Sequence, residues 1–160
     1  MDDRAYDGRS QSHDGFVLNK GTKMEDIQTL IENFSFLESW EEKYQYLIEL
    51  GEALPPLKDE YKTPLFRVAG CQSQVWLVPS FENGKFSFMA DSDAIMVKGI
   101  IYILLSIYNL KDTDQIKNIE VEKIFATLGL REHLSPSRRN GMMSMVEKIR
   151  FYAECQGKPQ

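Results

Sequence analysis

Apolar positions in the first half of the chain return every three or four residues. Ile27, Leu30, Ile31 and Phe34 fall at i, i+3, i+4 and i+7 and form one stripe of a helix. A second helix is predicted from Ser39. Ser39 and Glu42 have the spacing of a capping box, in which each side chain satisfies the other residue's backbone N–H. Trp40, Tyr44, Leu47 and Ile48 form its predicted inner face. Gly51 and the Pro55-Pro56 pair are expected to end it, because proline lacks the N–H and clashes with the preceding turn.

The period then shortens. Residues 66–69, 75–79 and 85–89 are rich in β-branched and aromatic side chains and are separated by turn formers. Asn83-Gly84 tolerates positive φ and marks a tight hairpin. These runs predict a small three-stranded antiparallel sheet, with Cys71 in the link between the first two strands. Helical spacing resumes afterwards. Asp91 or Ser92 is placed to cap an apolar helix running to about residue 108, and residues 112–116 read as a short helical turn. Val121, Ile124, Phe125 and Leu128 repeat the stripe, closed by Gly129. The last helix has Pro136 in its first turn, with Met142, Met145, Val146, Ile149 and Ala153 facing inward. The fold class is α+β, helices packed on one small antiparallel sheet. Residues 1–23 are polar and scattered with glycine, and are expected to be a disordered extension before a single domain at 24–157.

Charge and cysteine content narrow the function. A net charge of −5 is wrong for a phosphate-binding surface, so no nucleic-acid partner is expected. The apolar stretch 94–108 is shorter than the roughly 20 residues that span a bilayer, and Lys98 interrupts it, so a buried helix is expected and no membrane association. The N-terminus lacks an apolar core segment, and Asp2, Asp3, Asp7 and Asp14 do not suit an organellar transit peptide. With only Cys71 and Cys155, far apart and in no CxxC pair, a disulfide framework is not expected, and a reducing, cytoplasmic setting is. His13 and His133 do not stand at ligand spacing from either cysteine, so no metal site is expected.

Cys71 is the leading candidate for chemistry. It follows Gly70 and precedes Gln72-Ser73-Gln74 at a loop between strands, a common seat for a reactive group. A small buried hydrophobe accounts for the same position equally well. A Cys-His hydrolase would need His133 beside Cys71. Asp91 and Asp93 read more simply as capping and first-turn charge than as a catalytic pair. Cys155, near the end of the last helix, reads as an incidental thiol.

Four segments together resemble the SufE family of sulfur acceptor proteins. They are Trp40-Glu41-Glu42-Lys43-Tyr44 with Ile48-Glu49-Leu50-Gly51, then Gly70-Cys71-Gln72-Ser73-Gln74-Val75-Trp76. Asp91-Ser92-Asp93-Ala94 with Val97-Lys98-Gly99 follows, and His133-Leu134-Ser135-Pro136-Ser137-Arg138 with Gly141 closes the series. Their order and spacing agree across about residues 24–153. The resemblance implies a fold shared with IscU-type scaffolds. It implies that Cys71 receives sulfane sulfur as a persulfide from a SufS-type cysteine desulfurase and delivers it to the SufBCD scaffold. Pyridoxal phosphate would then belong to the desulfurase, and the chain itself would need no cofactor. Such a chain is a sulfurtransferase-like carrier without independent turnover. Gly70, Gln72, Ser73, Asp93, His133 and Arg138 would make the sulfur-site loop and partner interface around Cys71. An iron–sulfur scaffold remains the main alternative, and it would require about three cysteine ligands or equivalents.

Overall fold

The computed structural model describes residues 24–156; residues 1–23, expected to be an extension, lie outside them. Helix α1 (Ile27–Ser35) starts where the Asp26 carboxylate accepts the Thr29 N–H at 2.8 Å. Helix α2 (Trp40–Ala53) carries the capping box: Ser39 Oγ accepts the Glu42 N–H at 3.1 Å, and Glu42 Oε1 accepts the Ser39 N–H at 3.3 Å. The inward face of α2 differs from the expected one. Leu47, Leu50 and Gly51 are buried, whereas Trp40 and Ile48 are half-buried and Tyr44 is exposed. Gly51 does not end the helix but serves its packing. A Cβ there would stand 2.6 Å from the Ile95 carbonyl oxygen, and a Cβ on Gly99 would collide with the Leu47 carbonyl. Two glycines thus bring two helix backbones together, and the true stripe is Leu47, Leu50, Gly51 and Leu54 at i, i+3, i+4 and i+7.

Strands β1 (Val75–Glu82) and β2 (Lys85–Ser92) form an antiparallel hairpin in register from Val75↔Ser92 to Glu82↔Lys85. Asn83 and Gly84 supply φ of 55° and 78°, the two left-handed residues of a type I′ turn. The expected third strand is not formed: the sheet has two strands among the described residues. The run at 66–69 contributes only an isolated bridge, Arg67↔Trp76, with the Val68 N–H on the Val75 carbonyl at 2.9 Å. Pro64 starts a 3-10 turn, Pro64–Phe66, that uses up the beginning of that run. Gly70, at φ 89°, then turns the chain away from the sheet.

Asp91 does not cap helix α3 (Ile95–Tyr108); the N-cap is Ala94, without a side-chain bond. The Asp91 carboxylate is buried at the end of β2 instead, 3.4 Å from Lys62 Nζ and 3.7 Å from Lys98 Nζ, and accepts the Ser92 N–H at 2.8 Å. It joins the segment entering the Cys71 loop, the hairpin and α3. Ten residues of α3 are buried, so it forms the middle of the core, against α1, α2 and β2. Helices α4 (Thr113–Asn118) and α5 (Val121–Thr127) follow, and Gly129 turns the chain at φ 76° after α5. Helix α6 (Pro136–Gln156) starts at its proline and buries Gly141, Met142, Met145, Val146, Ile149 and Ala153.

A helical glycine ordinarily gains roughly 1 kcal/mol of stability on replacement by alanine. Gly99→Ala should do the opposite here, losing about 2–3 kcal/mol from backbone collision between α2 and α3. Urea unfolding measures this, and an unchanged or raised midpoint would refute the packing account.

Candidate functional site

The Cys71 loop is held at both ends and loosely at its tip. At its start, Val68 is bonded to Val75. At its far end Gln74 and Asp93 clasp each other: Asp93 Oδ1 accepts the Gln74 N–H at 3.1 Å, and the Asp93 N–H donates to the Gln74 carbonyl at 3.3 Å. Asp93 therefore extends the hairpin pairing by one residue beyond Val75↔Ser92 and fixes where the loop re-enters β1. Between these ties, Gly70 lies against α6, where a Cβ would come within 2.6 Å of Ser144 Oγ. The left-handed backbone at φ 89° is what requires glycine at this position, since the Ser144 hydroxyl could rotate aside.

Cys71 is half-buried, and its Sγ–H donates to the Gly141 carbonyl of α6 at 3.6 Å. It borders a cavity of about 200 Å³. Val75, Val97, Ile100, Met142 and Met145 give that cavity apolar walls, and Gln72, Ser73, Ser135, Ser137 and Arg138 edge it with polar groups. Burial pushes the Cys71 thiol above its ordinary pKa, and the Arg67 guanidinium pulls it back toward the thiolate. The resting group is thus a sheltered thiol whose weak hydrogen bond favours the protonated form.

A second cleft of about 480 Å³ lies beside the first, lined by Trp40, Tyr44, His133, Arg138 and Arg139 among others. Arg138 and Ser135 border both. His133 stacks on Trp40 with ring centroids 4.5 Å apart and 15° between planes. It lines the Trp40 cleft and not the cavity of Cys71. The site residues proposed from sequence therefore divide. Gln72, Ser73 and Arg138 line the Cys71 cavity, Gly70 shapes the loop, Asp93 anchors it, and His133 stands in the neighbouring cleft. Sequence reasoning missed Arg67, whose charge bears on the thiol from the isolated bridge, and Gly141, whose carbonyl receives it. Cys155 is exposed near the end of α6. Among the described residues, no group of three or more His, Cys, Asp or Glu is assembled to hold a metal ion.

Residues 28–153 match the family model SufE, described as an Fe-S metabolism associated domain. An uncharacterized SufE-like protein of Rhizobium etli is 45% identical over 135 residues, covering 82% of this chain and 91% of its own. A second, from Rhizobium meliloti, is 40% identical over 135 residues, covering 82% of this chain and 96% of its own. The solution structure of a hypothetical protein from Thermus thermophilus has the same fold, with a TM-score of 0.63 over 81% of this chain and 93% of that one at 21% identity. With its cysteine loop, flanking anchors and closing helix all inside the matched span, the chain belongs to the SufE family and so to iron–sulfur metabolism.

Proposed function

We propose that the chain accepts sulfane sulfur on Cys71 from a SufS-type cysteine desulfurase and hands it to the SufBCD scaffold for cluster assembly. One observation carries the reading: a half-buried thiol stands at the edge of a cavity with apolar walls and a polar rim, its Sγ–H on a backbone carbonyl at 3.6 Å. Such a place suits a group that must be protected at rest and released on demand. A persulfide left in water reacts with oxidants and stray thiols.

In the transfer step the Cys71 thiolate attacks the outer sulfur of the donor's cysteine persulfide. A bond forms between Cys71 Sγ and that sulfur, and the donor's S–S bond breaks. The donor cysteine leaves as thiolate with the electron pair, and the proton given up by Cys71 neutralises it or passes to solvent. Sulfane sulfur changes carrier and no external oxidant is needed. The product, Cys71–S–SH, has room in the cavity of about 200 Å³ for its added atom. Attack requires the thiolate, and burial opposes it. Donor docking therefore has to draw the tip of the loop off α6, where the Cys71 Sγ–H bonds the Gly141 carbonyl. An arginine on the cavity edge, Arg138, is positioned to draw an anionic sulfur toward the opening.

The scaffold reading is less well supported, because Cys71 sits in this cavity and Cys155 near the far end of α6. The hydrolase reading loses its base, since His133 is stacked on Trp40 in the other cleft.

Intact mass spectrometry after incubation with a SufS-type desulfurase and cysteine should show a gain of about one sulfur, ~32 Da, that disappears in Cys71→Ser. Uptake that persists in Cys71→Ser overturns the proposal. The thiol's raised pKa has its own signature. Below that pKa Cys71 is a thiol, so its alkylation by iodoacetamide should rise with pH along a curve centred above the ordinary cysteine value of about 8.5. Arg67→Ala should move the midpoint further upward, because the cation that favours thiolate is gone. Peptide mapping separates Cys71 from Cys155, and a midpoint unmoved by Arg67→Ala would rule out this electrostatic link.

A further inference from the structure

We infer that the cleft beside the sulfur cavity is the docking seat for an acidic, exposed segment of the sulfur donor, so that recognition and chemistry occupy separate pockets divided by Arg138. The inference rests on the sulfur-acceptor reading above and adds to it the place and chemistry of the contact. Three observations lead to it.

The first is aromatic. Trp40, half-buried, is flanked by the 37%-exposed Tyr44, its ring at 5.6 Å edge-on, and by the exposed His133 stacked at 4.5 Å. Trp40 packs one side against the core, while Tyr44 and His133 remain exposed beside it. Trp, Tyr and Arg around a concave site are the residue types that carry most binding energy at protein interfaces.

The second is charge. The segment 131–139 holds Arg131, Arg138 and Arg139 against one carboxylate, Glu132, in a chain whose net charge is −5. None of the three arginines is ion-paired among the described residues; Arg139 donates to the Leu134 carbonyl at 3.0 Å. Arg138 and Arg139 line the cleft itself. Unpaired guanidinium groups in a locally basic face of an acidic protein select a carboxylate-bearing partner surface.

The third is position. The cleft and the cavity share Ser135 and Arg138, and the first turns of α3 line both: Met96 the cleft, Val97 and Ile100 the cavity. A segment seated on Trp40 and His133 with its carboxylate on Arg139 would bring the donor against the Ser135–Arg138 wall that the cleft shares with the Cys71 cavity.

The test is persulfide transfer to the full chain from a SufS-type desulfurase with saturating cysteine, followed over a range of acceptor concentrations and at two ionic strengths. Arg139→Glu and Tyr44→Ser change exposed side chains and leave the core alone. Each should raise the acceptor concentration for half-maximal transfer, by about tenfold for Arg139→Glu. The maximal transfer rate and the rate of Cys71 alkylation should stay at the wild-type values. Arg139→Glu should also weaken the salt dependence. Unchanged half-maximal concentrations in both variants, or a loss confined to the maximal rate, overturn the docking seat while sulfur acceptance stands. Absence of any sulfur gain in the wild-type chain would overturn the acceptor reading and this inference with it, and the wild-type mass spectrum shows which has failed.

Discussion

A helix apolar on nearly every side has to be enclosed on every side, and α3 imposes that constraint on the rest of the molecule. Its buried residues include Ile100, Ile101, Ile103, Leu104, Leu105 and Ile107, with Met96 and Tyr102. No single partner can cover so wide a surface. Helix α2 closes one side by direct backbone approach through Gly51 and Gly99, and β2 packs on another. The N-terminal end of the same helix is only partly covered: Val97 is half-buried and Ile95 is 40% exposed. Both pockets open there, because the elements that would complete the enclosure are a loop and a 3-10 turn, Arg131–His133, in place of a regular helix or strand.

The surroundings of Cys71 resolve two opposed requirements. In the sulfur-acceptor role proposed for Cys71, the attacking sulfur needs the charged form and the stored persulfide needs shelter. Burial favours shelter and keeps the thiol protonated, while Arg67 restrains the shift without abolishing it. The loop is therefore fixed at its ends by the Val68–Val75 bond and the Gln74–Asp93 clasp, and weakly attached at its tip by one sulfur hydrogen bond. The energetic asymmetry fits a tip that moves while its base stays. Buried Asp91, tied to Lys62 and Lys98, reinforces the base.

Local chemistry made much of the fold legible in the chain. The Ser39–Glu42 box, the Asn83-Gly84 turn, Gly129 and Pro136 each act within a few residues, and each is found where its chemistry places it. The misreadings concern long-range contact. Trp40 and Tyr44 share a helical spacing with Leu47, so periodicity alone could not tell the core face from the cleft face of α2. Only the partner helix and its Gly99 decide it. Asp91 looked like a cap, and its ion pairs with Lys62 and Lys98 depend on segments 29 and seven residues away. For the site, the motif around Cys71 pointed to a loop that borders a cavity. Arg67 carried no signal because its effect comes through an isolated bridge, and the Gly141 carbonyl carried none because any residue would supply one.

The missing strand is part of how the site works. Had residues 66–69 paired with β1 along their length, the link to Cys71 would have been a tight connection between two rigid strands. Its cysteine would then have been locked in one position. Pro64 and Gly70 confine that pairing to the Arg67↔Trp76 bridge and leave the residues between Val68 and Gln74 as a loop. The price in sheet hydrogen bonds is small, because one backbone bond still sets the register, and the tip keeps the freedom that the proposed transfer would need. The shortened strand and the α6 contact therefore belong together: the hairpin fixes where the loop starts and ends, and α6 holds the Cys71 sulfur between them.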